Sequence, residues 1–141
     1  MAGPNHIQIA IIDDDESLCR SMGRLLRAVS FESKAYTSAE QFLADPDRPR
    51  FDCILLDIQL EGISGLELHE KLVREGDRTP VVFITAHDAP EVRHHAETTG
   101  CAGYFHKSDS GLDVVSAILR VVGGPSSSTA TGGADETPSW I

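Results

Sequence analysis

The stretch that decides the fold is ILLDIQLEGISGLEL, residues 54–68. Its opening, extended back to Cys53, is an unbroken apolar run, the pattern of a parallel strand covered on both faces. That strand, Cys53 to Leu56, ends in Asp57. A few residues on, Ser64 and Glu67 have the spacing of a capping box, which predicts the start of a helix.

Outward from this unit the same alternation repeats. Strands are predicted at Ile7 to Ile12, Glu32 to Tyr36 (the weakest), Val81 to Ile84 and Ala102 to Phe105. In the first helical segment Leu18, Met22, Leu25, Leu26 and Val29 form one apolar stripe. Ser38 with Gln41 has capping-box spacing before the second. Asp88 is the expected cap of the fourth, with Pro90 in its first turn and Glu91 supporting the cap. The fifth starts near Ser110, with Leu112, Val115, Ile118, Leu119 and Val122 on one face. Five strand–helix repeats mean right-handed βαβ units, hence an α/β, doubly wound, five-stranded parallel sheet.

The boundaries follow from composition. Residues 1–122 make one domain, and residues 123–141, GGPSSSTATGGADETPSWI, read as a disordered tail or linker in which Trp140 is too isolated to build a core. A chain of 141 residues with 40% hydrophobic and 24% charged residues fits a single globular unit. No apolar run approaches the ~18 residues of a membrane span, and there is no signal-peptide pattern, so a cytoplasmic location is expected. A net charge of -10 argues against direct nucleic-acid binding. Cys19, Cys53 and Cys101 are odd in number and widely spaced, so reduced thiols are expected rather than disulfides or a zinc site.

The polar candidates all lie at strand ends. The first strand ends in Asp13 and Asp14, with Asp15 next; the third in Asp57; the fourth in Thr85; the fifth, past His106, in Lys107. Ligands of open α/β sheets bind at this carboxyl edge, where the winding reverses. With strand order 2-1-3-4-5, Asp13, Asp14 and Asp57 converge. Three carboxylates in one cleft raise each other's pKa unless a cation neutralises them, and Mg²⁺ prefers such oxygen ligands. A carboxylate beside such an ion can form an aspartyl phosphate. Singly, each residue has an ordinary explanation, as a helix-terminal acid, a turn or a cap. Their occurrence together on one rim singles them out. The histidines do not compete: His94 and His95 are adjacent and face different ways, and His6, His69 and His106 read as surface or packing residues.

The order IIDDDES, ILLDIQLEGISGLEL, VVFITAH and GYFHKS resembles the receiver domains of two-component response regulators, over about residues 7–122. The DIQL…SGLEL stretch is most similar to the nitrogen-fixation and nitrate-response subgroup. The resemblance implies a flavodoxin-like receiver fold. It implies that Asp57 is the phosphoacceptor and that Mg²⁺ is held by Asp13, Asp14, Asp57 and the backbone carbonyl of Gln59. Lys107 pairs with the phosphoryl oxygens, Thr85 is the switch hydroxyl, and Tyr104 is the aromatic that follows it inward. The implied partners are a sensor histidine kinase or phosphotransfer protein as donor. A homodimer or output partner is expected at the face made by the fourth helix, fifth strand and fifth helix. The chain is then a switch that assists its own phosphorylation, not a conventional enzyme. A phosphorylation-independent binding module is the alternative, and a phosphatase is disfavoured because Gln59 stands where a second acid is needed. Gln59 and His87 border the path of attacking water, so they are expected to tune phosphate lifetime. Two positions depart from the family pattern. Leu60-Glu61 replace Met-Pro, which loosens the loop and adds a negative charge beside an anionic site. Ser108 replaces the Pro after Lys107, where a cis bond would cost roughly 3 kcal/mol or more.

Overall fold

The apolar runs pair side by side as one parallel sheet in the order β2-β1-β3-β4-β5. The computed structural model describes residues 7–128. The strands are β1 (Gln8–Ile12), β2 (Glu32–Tyr36), β3 (Cys53–Asp57), β4 (Val81–Thr85) and β5 (Gly103–His106); the helices are α1 (Glu16–Ala28), α2 (Ala39–Ala44), α3 (Gly65–Arg74), α4 (Pro90–Thr99) and α5 (Gly111–Ser128). The doubly wound α/β fold and its strand order are as expected from sequence, with strand ends displaced by one residue at most.

Alternation along each strand builds two cores, because successive side chains point to opposite faces. Ile9, Ile11, Leu55, Val82 and Ile84 meet Met22 and Leu26 of α1 and Val114, Val115 and Ile118 of α5. Ala10, Ile12, Leu56 and Phe83 meet Phe42, Leu68 and Leu72 on the other side. Both faces are covered, which is why β3 and β4 are apolar at nearly every position. β2 is the exception: it lies at the edge, and four of its five residues are exposed, including Glu32 and Lys34. Charges on an edge strand oppose pairing with other chains.

Several local expectations are corrected. Asp88 does not cap α4; Ala89 occupies the cap position without a side-chain hydrogen bond, and Pro90 follows at the first helical position. Asp88 instead faces Arg93 at 3.8 Å. The apolar face of α5 is made by Val114, Val115, Ala117 and Ile118, while Leu112 and Leu119 are 64% and 39% exposed. The composition change at Gly123 does not end α5, which continues to Ser128. Residues 129–141, with Trp140, and His6 lie outside the described residues. Ser38 caps α2 as predicted, accepting from the Gln41 N–H at 3.0 Å. Gln41, however, reaches back to the N–H of Thr37 at 2.9 Å, one residue beyond the box. The Ser64–Glu67 box is complete in both directions. All three cysteines are free, and burial pushes the Cys53 thiol up to about 12. No described helix is long and apolar enough to cross a membrane.

His69 is a packing residue. It is buried edge-on to Phe83 at 5.3 Å between ring centres, and its Nδ1 has no hydrogen-bond partner. Burial lowers its pKa. The folded value thus lies below the unfolded ~6.5, and as pH falls through that range the unfolded chain binds a proton that the folded chain resists. Stability is lost on acidification. His69→Phe should remove that loss, so the variant's urea midpoint should change less than the native's between pH 7.5 and pH 5. Equal changes in the two chains would show that the imidazole takes up its proton as readily in the folded chain as in the unfolded one.

Candidate functional site at the carboxyl edge of the sheet

Strand pairing brings the candidate residues together. Ile12 sits opposite Leu56, Asp57 opposite Ile84, and Thr85 opposite His106, so the residues that follow β1, β3, β4 and β5 share one rim. Asp13, Asp14 and Asp57 each place a carboxylate oxygen within 4.8 Å of the others. The three consecutive acids after β1 divide their tasks. Asp13 is buried, and its Oδ1 accepts from the N–H of Asp15 at 2.9 Å. Asp14 is exposed beside the cleft. Asp15 is the N-cap of α1, accepting from Ser17 and Leu18.

Lys107 is the counterion. Its Nζ lies 3.0 Å from Asp13 and 3.1 Å from Asp57. Its backbone N–H donates to the Thr85 carbonyl at 2.7 Å, which fixes the start of the side chain. Burial works against its charge, but Asp13 and Asp57 prevail and raise its pKa. The peptide bond to Ser108 is trans, as are all those described.

Asp57 is held under electrostatic tension. Burial first, and then the Asp13 charge, push its pKa up to about 6, against the opposing effects of the Gln59 N–H and Lys107. The Gln59 N–H donates to Asp57 Oδ1 at 2.9 Å. Three carboxylates face one ammonium, so the cleft is short of positive charge when all are ionised. Asp13 Oδ2 is buried and receives no well-directed hydrogen bond. An all-oxygen cluster whose three carboxylates share one close ammonium fits a hard divalent cation, and Mg²⁺ in particular takes one or two carboxylates with water.

Thr85 and Tyr104 are placed differently from each other. The Thr85 hydroxyl is buried and engaged with the backbone of His87, donating to its carbonyl and accepting from its N–H, both at 3.1 Å. It makes no hydrogen bond to Asp57. The Tyr104 ring is turned inward, with its buried hydroxyl beside Asp88 but making no well-directed hydrogen bond. Burial, and then the nearby Asp88 charge, push this phenol up to about 12. Arg93 of α4 covers the ring, its guanidinium 5.0 Å from the centroid. Sequence reading did not find Arg93, because a cation–π contact leaves no spacing signature. The side chains of Gln59 and His87 are exposed at the rim.

A family model described as the response regulator receiver domain matches residues 9–119. This chain belongs to that family. Every rim residue named above falls inside the matched span of the receiver. The receiver is 32% identical over 114 residues to the sensory transduction protein RegX3 of Mycobacterium tuberculosis, covering 81% of this chain and 50% of the relative. It is 30% identical over 110 residues to the response regulator protein TmoT of Ectopseudomonas mendocina, covering 78% of this chain and 50% of the relative. The chain therefore spans about half the length of the curated relatives it matches. Among solved structures, the receiver is similar to a response regulator receiver protein from Burkholderia phymatum, with 36% identity and a TM-score of 0.72, over 83% of this chain and 95% of that one. A CheY-like receiver from Methanospirillum hungatei has a TM-score of 0.77 at 24% identity, over 84% of this chain and 94% of that one, which speaks to the fold alone. Receiver domains of two-component response regulators are phosphoacceptor signalling modules, and this coarse function holds for the present chain.

Proposed function

We propose that Asp57 accepts a phosphoryl group from a phosphohistidine of a sensor histidine kinase or phosphotransfer protein, and that the resulting aspartyl phosphate shifts the receiver between two conformations. The observation that carries this reading is the group of Asp13, Asp14 and Asp57 within 4.8 Å, with Lys107 paired to Asp13 and Asp57. With its pKa at about 6, Asp57 is largely ionised at neutral pH and is a competent nucleophile. Its oxygen attacks phosphorus; a P–O bond forms, the P–N bond to the donor imidazole breaks, and the imidazole leaves with that electron pair. Lys107 moves its contact from the Asp57 carboxylate to the new phosphoryl oxygens. Asp13, Asp14, Asp57 and the Gln59 carbonyl would hold Mg²⁺, which when bound neutralises charge on the transferring group. The domain assists this transfer without being a conventional enzyme, and its setting would be the cytoplasm.

The readout follows from Thr85 and Tyr104. The Thr85 hydroxyl exchanges its His87 backbone contacts for a phosphoryl oxygen, and the space it leaves changes the surface of α4, β5 and α5. Leu112 and Leu119 are exposed on α5, which supports a partner, or a second copy, at that face.

Incubation with acetyl phosphate and Mg²⁺ should give an acyl phosphate that maps to Asp57, and EDTA should prevent it. Mg²⁺-independent modification elsewhere would overturn the assignment. Thr85→Ala should still take the label, at a rate within about threefold of native, since the hydroxyl is not the nucleophile. Its phosphorylation-dependent dimerisation or partner binding should shrink. A full response from Thr85→Ala would show that signalling bypasses this hydroxyl.

A further inference from the structure

Both ends of the loop joining β3 to α3 are fastened close to the rim. The Gln59 N–H is held by Asp57, the Gly65 N–H donates to the Ile58 carbonyl at 2.9 Å, and Ser64 is locked into its capping box. The middle of the loop is anchored by packing, with Leu60 buried in the core and Ile63 against it, but makes few hydrogen bonds. Among the described residues, the stretch Leu60 to Ile63 receives one hydrogen bond from another element: the Ile63 N–H donates to Glu40 Oε2 at 2.9 Å. Glu40 lies in the first turn of α2, 23 residues away in sequence. The same carboxylate fills the space beside Gly62, where a Cβ would come within 2.3 Å of Oε2. Gly62 also has a positive φ of 79°, so the loop both turns and opens its backbone at the point where Glu40 enters.

From this geometry we infer that Glu40 is a positioning residue for phosphoryl transfer, a strap from α2 that holds the acceptor loop in register with Asp57. The inference rests on the proposed role of Asp57. Glu61 has no ring to limit the backbone at its own position. Packing of Leu60 and Ile63 anchors the loop's side chains, and the polar backbone between them is held by Glu40 from outside the loop. An acid in the first turn of α2 also complements the helix dipole, but that role requires neither the Ile63 contact nor the space at Gly62. The strap needs an acceptor oxygen rather than a negative charge, and the two requirements can be separated.

The test compares Glu40→Ala, Glu40→Gln and native chain. Glu40→Ala should lower the rate of labelling by acetyl phosphate about fivefold or more, the scale expected when a reacting group loses its alignment. The Mg²⁺ concentration for half-maximal rate should rise with it. Exchange of the Ile63 amide in the metal-free chain should quicken about tenfold or more as its acceptor is removed. Glu40→Gln keeps an acceptor oxygen and should stay within twofold of native on all three measurements. Adding Glu61→Pro to Glu40→Ala should recover most of the labelling rate, which a general loss of stability would not allow. A Glu40→Ala chain within twofold of native, or a Glu40→Gln chain as impaired as Glu40→Ala, would overturn the inference. Failure of the proposed function would look different: the native chain would take no label, while Ile63 exchange would still depend on Glu40.

Discussion

Asp57→Asn should take no label from acetyl phosphate, and in the absence of Mg²⁺ it should melt higher than the native chain. The first result follows from losing the only carboxylate at the end of β3. The second follows from the sign of its pKa shift. The folded value of about 6 lies above the ordinary 3.8, so ionisation opposes folding. The stabilising contribution of the protonated form is complete below pH 3.8 and is lost as pH rises through about 6. At pH 7 the native domain carries that cost, and an amide does not. Allowing for the contact Lys107 gives up, the gain is about 1 to 2 kcal/mol, at ~1.4 kcal/mol per pKa unit. A gain of that size corresponds to about 3–6 °C in a domain this small. Mg²⁺ should raise the native midpoint much more than the variant's. A variant that melts lower than native without metal would mean that Lys107 already balances Asp57.

Gly65→Ala should do the opposite, destabilising the domain and slowing its chemistry together. Gly65 has no positive φ that would demand a glycine; what is missing is room. A Cβ there would lie 2.2 Å from the Asp57 carbonyl oxygen and 2.8 Å from the Ile58 Cα. These are backbone atoms of the acceptor strand and cannot rotate away. Either α3 withdraws, breaking the Gly65 to Ile58 hydrogen bond, or the Asp57 peptide shifts. Overpacking of this kind costs about 3 kcal/mol, a fall of about 10 °C or more in the thermal midpoint. Displacing the acceptor by even a fraction of an ångström should slow labelling about tenfold or more. A midpoint within 2 °C of native, a margin well below that ~10 °C, would show that the loop yields freely.

Residues whose meaning depends on local order were legible in the sequence. β3 and β4 were readable because both faces are buried, and the rim followed because strand ends in a parallel sheet must share an edge. The Ser64–Glu67 box was readable because both partners are three residues apart. α5 misled for a physical reason: its apolar residues wrap around the helix, so spacing allowed two stripes. Packing chose between them, since Gly111 sits where a Cβ would come within 2.7 Å of Leu25 on α1. With α1 this close at Gly111, Val114 and Ile118 lie inward and Leu112 outside. Asp88 misled because the helix starts one residue later than its cap spacing implied, and its carboxylate faces Arg93 and Tyr104 instead. Glu40 was invisible because its partner is a backbone N–H, which no residue type announces.

The inward Tyr104 has a consequence for how the receiver would respond to partial signals. Burying its hydroxyl without a well-directed hydrogen bond costs up to about 1–3 kcal/mol, which the nearby Asp88 offsets in part and the contact with Arg93 by about 0.5–1 kcal/mol. Swinging outward rehydrates the hydroxyl but exposes the ring, so the two placements differ by a small residue of opposing terms. A balance this fine behaves as a dimmer more than a toggle. Unmodified molecules would hold the inward ring, the placement expected of the modified receiver, at a measurable background level, and output would grow in proportion to the fraction of Asp57 modified, with no threshold to cross.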